Sequence, residues 1–493
     1  MENLAAIIPI LLYMAGMLAI SFYVRSKALS TNSNFLKRYF IGNNEVGGFV
    51  LAMTMVATYS SVSTFVGGAG MAWHIGFGWA YMAIVQVTAV FLVLGIFGKR
   101  MAMLSRKLNA VTVVDIIRAR FNSNLLANLS AFVIVLFFSG TMVAQLIGGA
   151  KLFEAVTGYS YLVGLLLFGI MVVIYTSVGG FRAVVLTDTV CALVMMLGIV
   201  LLIYAVLDFG GGYANVVHTI TTKHSEMIDP LSHGNMPWGL YLTQWLLVGI
   251  CTIALPQSAV RGMSYKNTKS LVKAMVLGTF VLGFINSGIN IAGILAHGVM
   301  DGDLKGYGGA DNIIPTAIVT LMDPTLASIA IIGPLAASIS TISSLLLVGT
   351  SSIIKDIYVT NKKAKGEEVS DKKVQRLSVL VTFSLGIIVF LIAVNPPQLI
   401  WIINMFAFGG LETAFFWVLI FGLFWKRANK TGAMFSLVGG TLAYCLTMFL
   451  GFKLFDLHQI TIGITASLVL FIIGTYLGKS EDEKTLEIFF PSK

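Results

Sequence analysis

Charge is what this sequence has least of. Only 11% of its 493 residues are Asp, Glu, Lys or Arg, against 57% apolar, and the mean hydropathy is +0.89. So little polar surface cannot close a soluble globule, and the chain is expected inside a bilayer. Alternation over strands of about ten residues is missing too, which excludes a transmembrane barrel and leaves helices. The three cysteines, Cys191, Cys251 and Cys445, show no paired spacing, so neither a disulfide nor a metal cluster is expected. His74, His218, His224, His233, His297 and His458 show no metal-ligand spacing and fall at or beyond expected outer span ends. No nucleophile stands with a base and an orienting partner, which argues against an enzyme. A channel would need a polar stripe on several helices, and none is seen. The tail GKSEDEKTLEIFFPSK is too short for a signalling domain. The first apolar run has no basic segment before it and no small-residue cleavage site, so it is expected to stay in the mature protein.

Apolar runs of about 20 residues, the length that crosses roughly 30 Å of hydrocarbon, are what the chain does have. Hydropathy and breaker residues predict thirteen, the first over 3–24, the eleventh over 398–425 and the last over 459–478. Placing the N-terminus outside leaves only Lys151, Lys223, Lys305 and Lys453 of the 32 Lys and Arg on that side. Arg25 to Arg38, Lys99 to Arg120, Arg182, Arg261 to Lys273, Lys355 to Arg376, Lys426 to Lys430 and the tail then face the cytoplasm. The net charge of +10 reads as a topogenic and anionic-lipid signal rather than a nucleic-acid one. The expected partners are a lipid bilayer and a small molecule; nothing calls for a protein partner.

If the first span is peripheral (1–43), spans two to six (44–208) and seven to eleven (239–425) form two groups of five. An odd repeat length inverts the second group, as in leucine-transporter-type inverted-repeat transporters. An outer loop (209–238) separates the groups, and 426–493 holds spans twelve and thirteen and the tail. In such proteins the first helix of each repeat is interrupted. Span two carries the hydroxyl-rich VATYSSVSTFVGGAG with Gly67, Gly68 and Gly70; span seven carries Gly249 and Pro256. Glycine and proline are also common in membrane helices simply for close packing.

A small cation entering hydrocarbon needs oxygens in place of its water shell. An unwound stretch in span two would free carbonyls, and span nine, GPLAASISTISSLLLVGTSS, offers Ser340 and Thr341 one turn from the Ala337 carbonyl. Glu412 is the one acid near the middle of an expected span; it can carry a proton, accept from a substrate, or serve as a buried structural partner. Asp188 sits near a cytoplasmic helix end, where a solvated charge at the positive end of the dipole is the ordinary reading.

YTSVGGFRAVVLTD (175–188) and GLFWKRANKTGA (422–433) resemble the two signatures of the sodium:solute symporter family, and GGFVLAMTMVATYSS and AASISTISSLLL extend the likeness along essentially the whole chain. The resemblance implies a sodium-coupled secondary transporter of the cell membrane. Residue by residue it implies a sodium site of the Ala57, Ser60 and Ala337 carbonyls with the Ser340 and Thr341 hydroxyls, and puts Asp188 on the sodium exit path. Within the family, IGNNEVGGFVLAMTMVATYSSVSTFVGGAG, AQLIGGAKLFE, LPQSAVRGMSYKNTKS and MFAFGGLETAFFW are most similar to the pantothenate-carrying branch. Tyr59 stands where the proline-carrying branch has an acid. Thr64, Val248, Cys251 and Thr252 replace sugar-binding positions. For a carboxylate bearing amide and hydroxyl groups, the expected pocket is Ser61, Ser63, Thr64, Gln86, Gln145, Gln244, Trp245 and Asn404. Symport of proline, sialic acid or another monocarboxylate is the alternative, as is a proton-coupled transporter relying on Glu412 or Asp188.

Overall fold

The computed structural model describes residues 4–28, 35–234, 236–395 and 400–491. The expected starts of spans one and eleven, at 3 and 398, and the last basic residue of the tail lie outside the described residues. Those described form helices joined by short turns, with an isolated parallel bridge between Val46 and Tyr265. Among the described residues ten helices are long and apolar enough to cross a membrane, and twelve when each of two bent pairs counts as one span. One of the ten, Tyr161–Phe209, has 49 residues. At 1.5 Å per residue it would run about 70 Å, more than twice the roughly 30 Å of hydrocarbon. It is interrupted at Gly180, where φ is 60° and ψ −162°. A Cβ there would approach Tyr39 Cδ2 to 2.7 Å, so the first signature needs glycine for both its conformation and its packing.

The hydroxyl-rich stretch lies at the centre of the molecule. Every residue of Ile332–Ser351 is buried, and the helix packs against Gly48–Tyr59, Asn124–Thr157 and Tyr161–Phe209. Its small residues permit this: a Cβ on Gly333 would lie 3.3 Å from Gly198 Cα, and Ser338 Oγ donates to the Gln145 carbonyl at 2.7 Å. Large apolar side chains such as Leu12, Phe132, Phe280 and Leu391 are exposed on the outside, as lipid contact requires.

Both expected interruptions occur, at different residues from some of those that signalled them. Gly48–Tyr59 and Ser63–Ile75 meet at 61°, and Trp238–Ala254 and Pro256–Ser264 at 44°. The first break is at Ser60, in extended backbone (φ −98°, ψ 104°), ahead of the three glycines. Gly70 instead lets the helix press against the Ala310 carbonyl. The second break is at Leu255 (φ −64°, ψ 124°), with Pro256 opening the next helix, where its missing N–H costs nothing. Gly249 does not break the chain; a Cβ there would sit 2.7 Å from Val85 Cγ2, so it serves close packing.

The segments that hold Ser232 and Asp311 are structured and pack onto the core. Ser232 Oγ donates to the Ile75 carbonyl, and Asp311 Oδ2 accepts the Ile400 N–H at 3.1 Å. On the opposite side Arg120 is buried, not solvated. Its guanidinium donates to the carbonyls of Gly422, Trp425, Lys426 and Ala428, closing the end of Ile400–Phe424 where the second signature turns.

Candidate functional site

In an intact helix the Ala57 carbonyl would accept from the Ser61 N–H and the Thr58 carbonyl from the Val62 N–H. Neither bond forms. The Ser61 N–H is directed at Thr64 Oγ1 at 3.5 Å, and the Val62 N–H donates to Gln145 Oε1 at 2.9 Å. The freed Ala57 carbonyl faces Ser340 Oγ at 3.3 Å, and the Ala337 carbonyl accepts from Ser340 Oγ at 3.1 Å and Thr341 Oγ1 at 2.9 Å. Ala57, Ser60, Ala337, Ser340 and Thr341 are all at most 3% exposed, which leaves their oxygens out of reach of bulk water. Oxygens sharing a cation of calcium-like size at about 2.4 Å sit roughly 3.4 Å apart at right angles. The Ala57–Ser340 spacing is of that order.

One turn further along the same helix, Ser344 Oγ accepts from Arg261 at 2.6 Å. Arg261 also donates to Asp188 Oδ2 at 3.0 Å and to Thr54 Oγ1 at 2.8 Å, and Thr54 Oγ1 donates to Asp188 Oδ2 at 2.6 Å. Asp188 and Arg261 are therefore a buried ion pair, with side chains 0% and 1% exposed. This corrects two expectations. Asp188 is not a solvated helix-end charge, and Arg261 does not belong to a solvated cytoplasmic loop.

Beside the break lies an open cavity whose empty space, solvent at its mouth included, is about 520 Å³. Of the eight residues expected to bind substrate, Ser61, Ser63, Thr64, Gln86, Gln244 and Asn404 line it. Gln145 does not; it caps the second half of the broken helix through the Val62 N–H. Trp245 does not either; it is 39% exposed and its ring lies 5.4 Å from Tyr241. The sequence missed Tyr59, Met405 and Phe408, which also line the cavity, and Asn286 with Asn290. Those two asparagines stand four apart in the mostly apolar second half of their helix, so their shared face was a readable signal. Asn286 Nδ2 donates to the Ala83 carbonyl at 2.9 Å and Gln86 Oε1 at 3.3 Å. Tyr59 spans from the first break to the second, its hydroxyl donating to the Thr252 carbonyl at 3.2 Å.

Several polar atoms of this wall have no protein partner among the described residues: Ser63 Oγ, both amide atoms of Gln244, Asn290 Oδ1 and Asn404 Oδ1. Buried polar groups normally pair, so this set describes the donors and acceptors a ligand would meet. Among the described residues no Lys, Arg, Asp or Glu lines the cavity. The described histidines and cysteines form no cluster able to hold a metal ion.

The model of the sodium:solute symporter family matches residues 39–440. The sodium/pantothenate symporter of Haemophilus influenzae is 38% identical over 484 residues, 98% of this chain and 98% of its own length. That of Escherichia coli is also 38% identical, over 98% of this chain and 99% of its own. A solved structure of a Na+-coupled sialic acid symporter, in a substrate-bound outward-open state, superposes with a TM-score of 0.81 at 20% identity, covering 98% of this chain and all of the other.

Proposed function

The chain belongs to the sodium:solute symporter family, and from that membership we propose that it takes up pantothenate by sodium-coupled alternating access. It is a transporter of the cell membrane, not an enzyme, and Na+ is its coupling ion. Each net charge moved through 100 mV supplies about 2.3 kcal/mol, before any concentration term.

Dividing Tyr161–Phe209 at Gly180 and counting each bent pair once brings the spans to the expected thirteen, with the N-terminus outside by the basic-residue bias. The two bent pairs stand near the starts of 44–208 and 239–425, where an inverted repeat places them. Spans two, three, seven and eight then rock against four, five, nine and ten.

The sodium ligands are the carbonyls of Ala57, Ser60 and Ala337 and the hydroxyls of Ser340 and Thr341. The observation that carries this reading is the Ala57 carbonyl, released from its helix and held 3.3 Å from Ser340 Oγ on the facing helix. An ion there ties the broken helix to the central one and so couples its own binding to the conformation that holds substrate. Ser344, one turn on, leads toward Asp188 and the cytoplasm.

For the substrate, the unpartnered Ser63 hydroxyl and Gln244 amide can donate to a carboxylate, while Asn290 Oδ1 and Asn404 Oδ1 accept from amide and hydroxyl groups. No cationic side chain among the described residues lines the cavity. The anion is offset by the sodium ion and by the N-terminal end of Ser63–Ile75, whose first turn lines the wall. The test is sodium-driven uptake of labelled pantothenate in proteoliposomes, challenged with biotin, lipoate, proline and sialic acid. Pantothenate is expected to accumulate and to be displaced by itself alone. Ser340→Ala with Thr341→Ala is expected to abolish that uptake while the protein still elutes as a folded species. Unchanged uptake and sodium affinity in the double variant would remove the site; failure of pantothenate to accumulate would remove the substrate.

A further inference from the structure

The ion site and the cavity leave one acid unused. Glu412 is 0% exposed, and neither carboxylate oxygen has a hydrogen-bond partner among the described residues. It follows Asn404 and Phe408 at spacings of four on Ile400–Phe424, so it continues the face that lines the cavity, about 6 Å beyond Phe408.

Among the described titratable groups, Tyr59, Cys251 and Tyr444 lie in electrostatic reach of it. Tyr59 ends the first half of one broken helix, and Cys251 opens the last turn before the break in the other. Tyr444 comes from the neighbouring Thr441–Phe449. None of the three is a cation. Arg261, a cation that acts on Tyr59, is committed to Asp188 and Ser344. On the other elements packed against this helix, Arg120 sits at the Gly422 carbonyl with Asp115 and Arg118 on its own helix, roughly 15 Å further along. Lys151 and Glu154 lie in the last turns of Asn124–Thr157, and Tyr476 in the last turn of Ile460–Leu477.

An ionised carboxylate so placed would cost far more than any fold can spare, so the group must hold a cation or a proton. A metal cation needs a shell of several oxygens, and a phenol with a thiol does not make one. A proton needs only the carboxylate.

We propose that Glu412 is a proton-binding site of the transport cycle. The carboxylate takes a proton from water, becoming a carboxylic acid, as the two broken helices close over it. It returns the proton to water when they move away and the group is hydrated. The site rests on the sodium-symport reading, since sodium remains the driving ion; the proton sets how readily the closed arrangement forms. Asp188 does not substitute for it, because its charge is matched by Arg261.

The experiment measures initial sodium-driven pantothenate uptake in proteoliposomes between pH 6 and 9 at saturating sodium, for the wild type and Glu412→Gln. The wild type is expected to vary at least threefold across that range. Glu412→Gln, fixed in a neutral form of similar shape, is expected to retain uptake within threefold of the wild-type maximum and to lose the pH dependence. A Glu412→Gln profile that keeps the wild-type shape overturns the proposal. Wild-type infrared difference spectra between substrate-free and substrate-loaded protein give a second readout should that variant fail to fold. A change in the protonated-carboxyl band that shifts in Glu412→Asp supports the site, and an unchanged band overturns it. Absence of sodium-driven uptake in the wild type at every pH would instead remove the symport reading itself.

Discussion

Tyr59 stands inside a run of hydroxyl residues, and its bulk is at odds with theirs. Its ring forms part of the cavity wall while its hydroxyl reaches the Thr252 carbonyl on the other broken helix. A neutral bond of this kind contributes about 1 kcal/mol, or roughly fivefold in an equilibrium. Tyr59→Phe keeps the ring and removes the bond, so the fold should hold, while the apparent KM for pantothenate rises about fivefold because the wall is less well held. Uptake kinetics alongside a melting curve check this; an unchanged KM would show that the bond contributes nothing to binding. At this scale the sequence was uneven. Ser340 and Thr341 were readable because neighbouring hydroxyls in an apolar helix need a reason. Gln145 and Trp245 do not line the cavity, since their types suit a binding wall equally well when they cap a helix or face outward.

The elements were more legible than their junctions. Span lengths follow from hydropathy and the breaks from hydroxyls and Pro256, since both are local properties. The exact break at Ser60 rather than Gly67 was not readable, because it depends on Gln145 from Asn124–Thr157 capping the Val62 N–H. The start of Ile460–Leu477 shows the same dependence on a partner. The Ile460 N–H donates to His458 Nδ1 at 3.2 Å, which requires a neutral imidazole. Burial, followed by the nearby Lys453, lowers the His458 pKa from 6.5 to about 4. The unfolded chain therefore binds more protons between those two values. The stability that comes from burying His458 in its neutral form is complete above the unfolded pKa and is lost as pH falls toward 4, by about 2 kcal/mol at pH 5. The melting temperature in detergent should fall between pH 7.5 and pH 5. His458→Asn, which keeps an acceptor without titrating there, should flatten that slope, and an unaltered slope in the variant would place the sensitivity elsewhere.

At the scale of the whole molecule, the two halves meet around a charge pair that no sequence pattern announced. Arg261 looked like one more cytoplasmic cation because it ends an apolar run beside Lys266 and Lys269. Only the fold brings it to Asp188, 73 positions away. Through Thr54, Asp188, Arg261 and Ser344 the pair joins Gly48–Tyr59, Tyr161–Phe209, Pro256–Ser264 and Ile332–Ser351. Thr54 and Arg261 lie on the two broken helices and Asp188 and Ser344 on the helices they face, so the tie holds both broken helices to the helices packed against them. Removing one partner of such a pair strands the other charge in a dry interior, at a cost of about 3–5 kcal/mol, whereas replacing both is often close to neutral. Asp188→Asn and Arg261→Gln should each lower the melting temperature sharply. The double variant should recover most of that loss, because Asn and Gln can still bond to Thr54 and Ser344 without an uncompensated charge. A double-mutant cycle on thermal unfolding measures the coupling. Additive losses would mean that the two charges do not offset one another in the membrane, and the tie between the halves would then have to be sought in their packing alone.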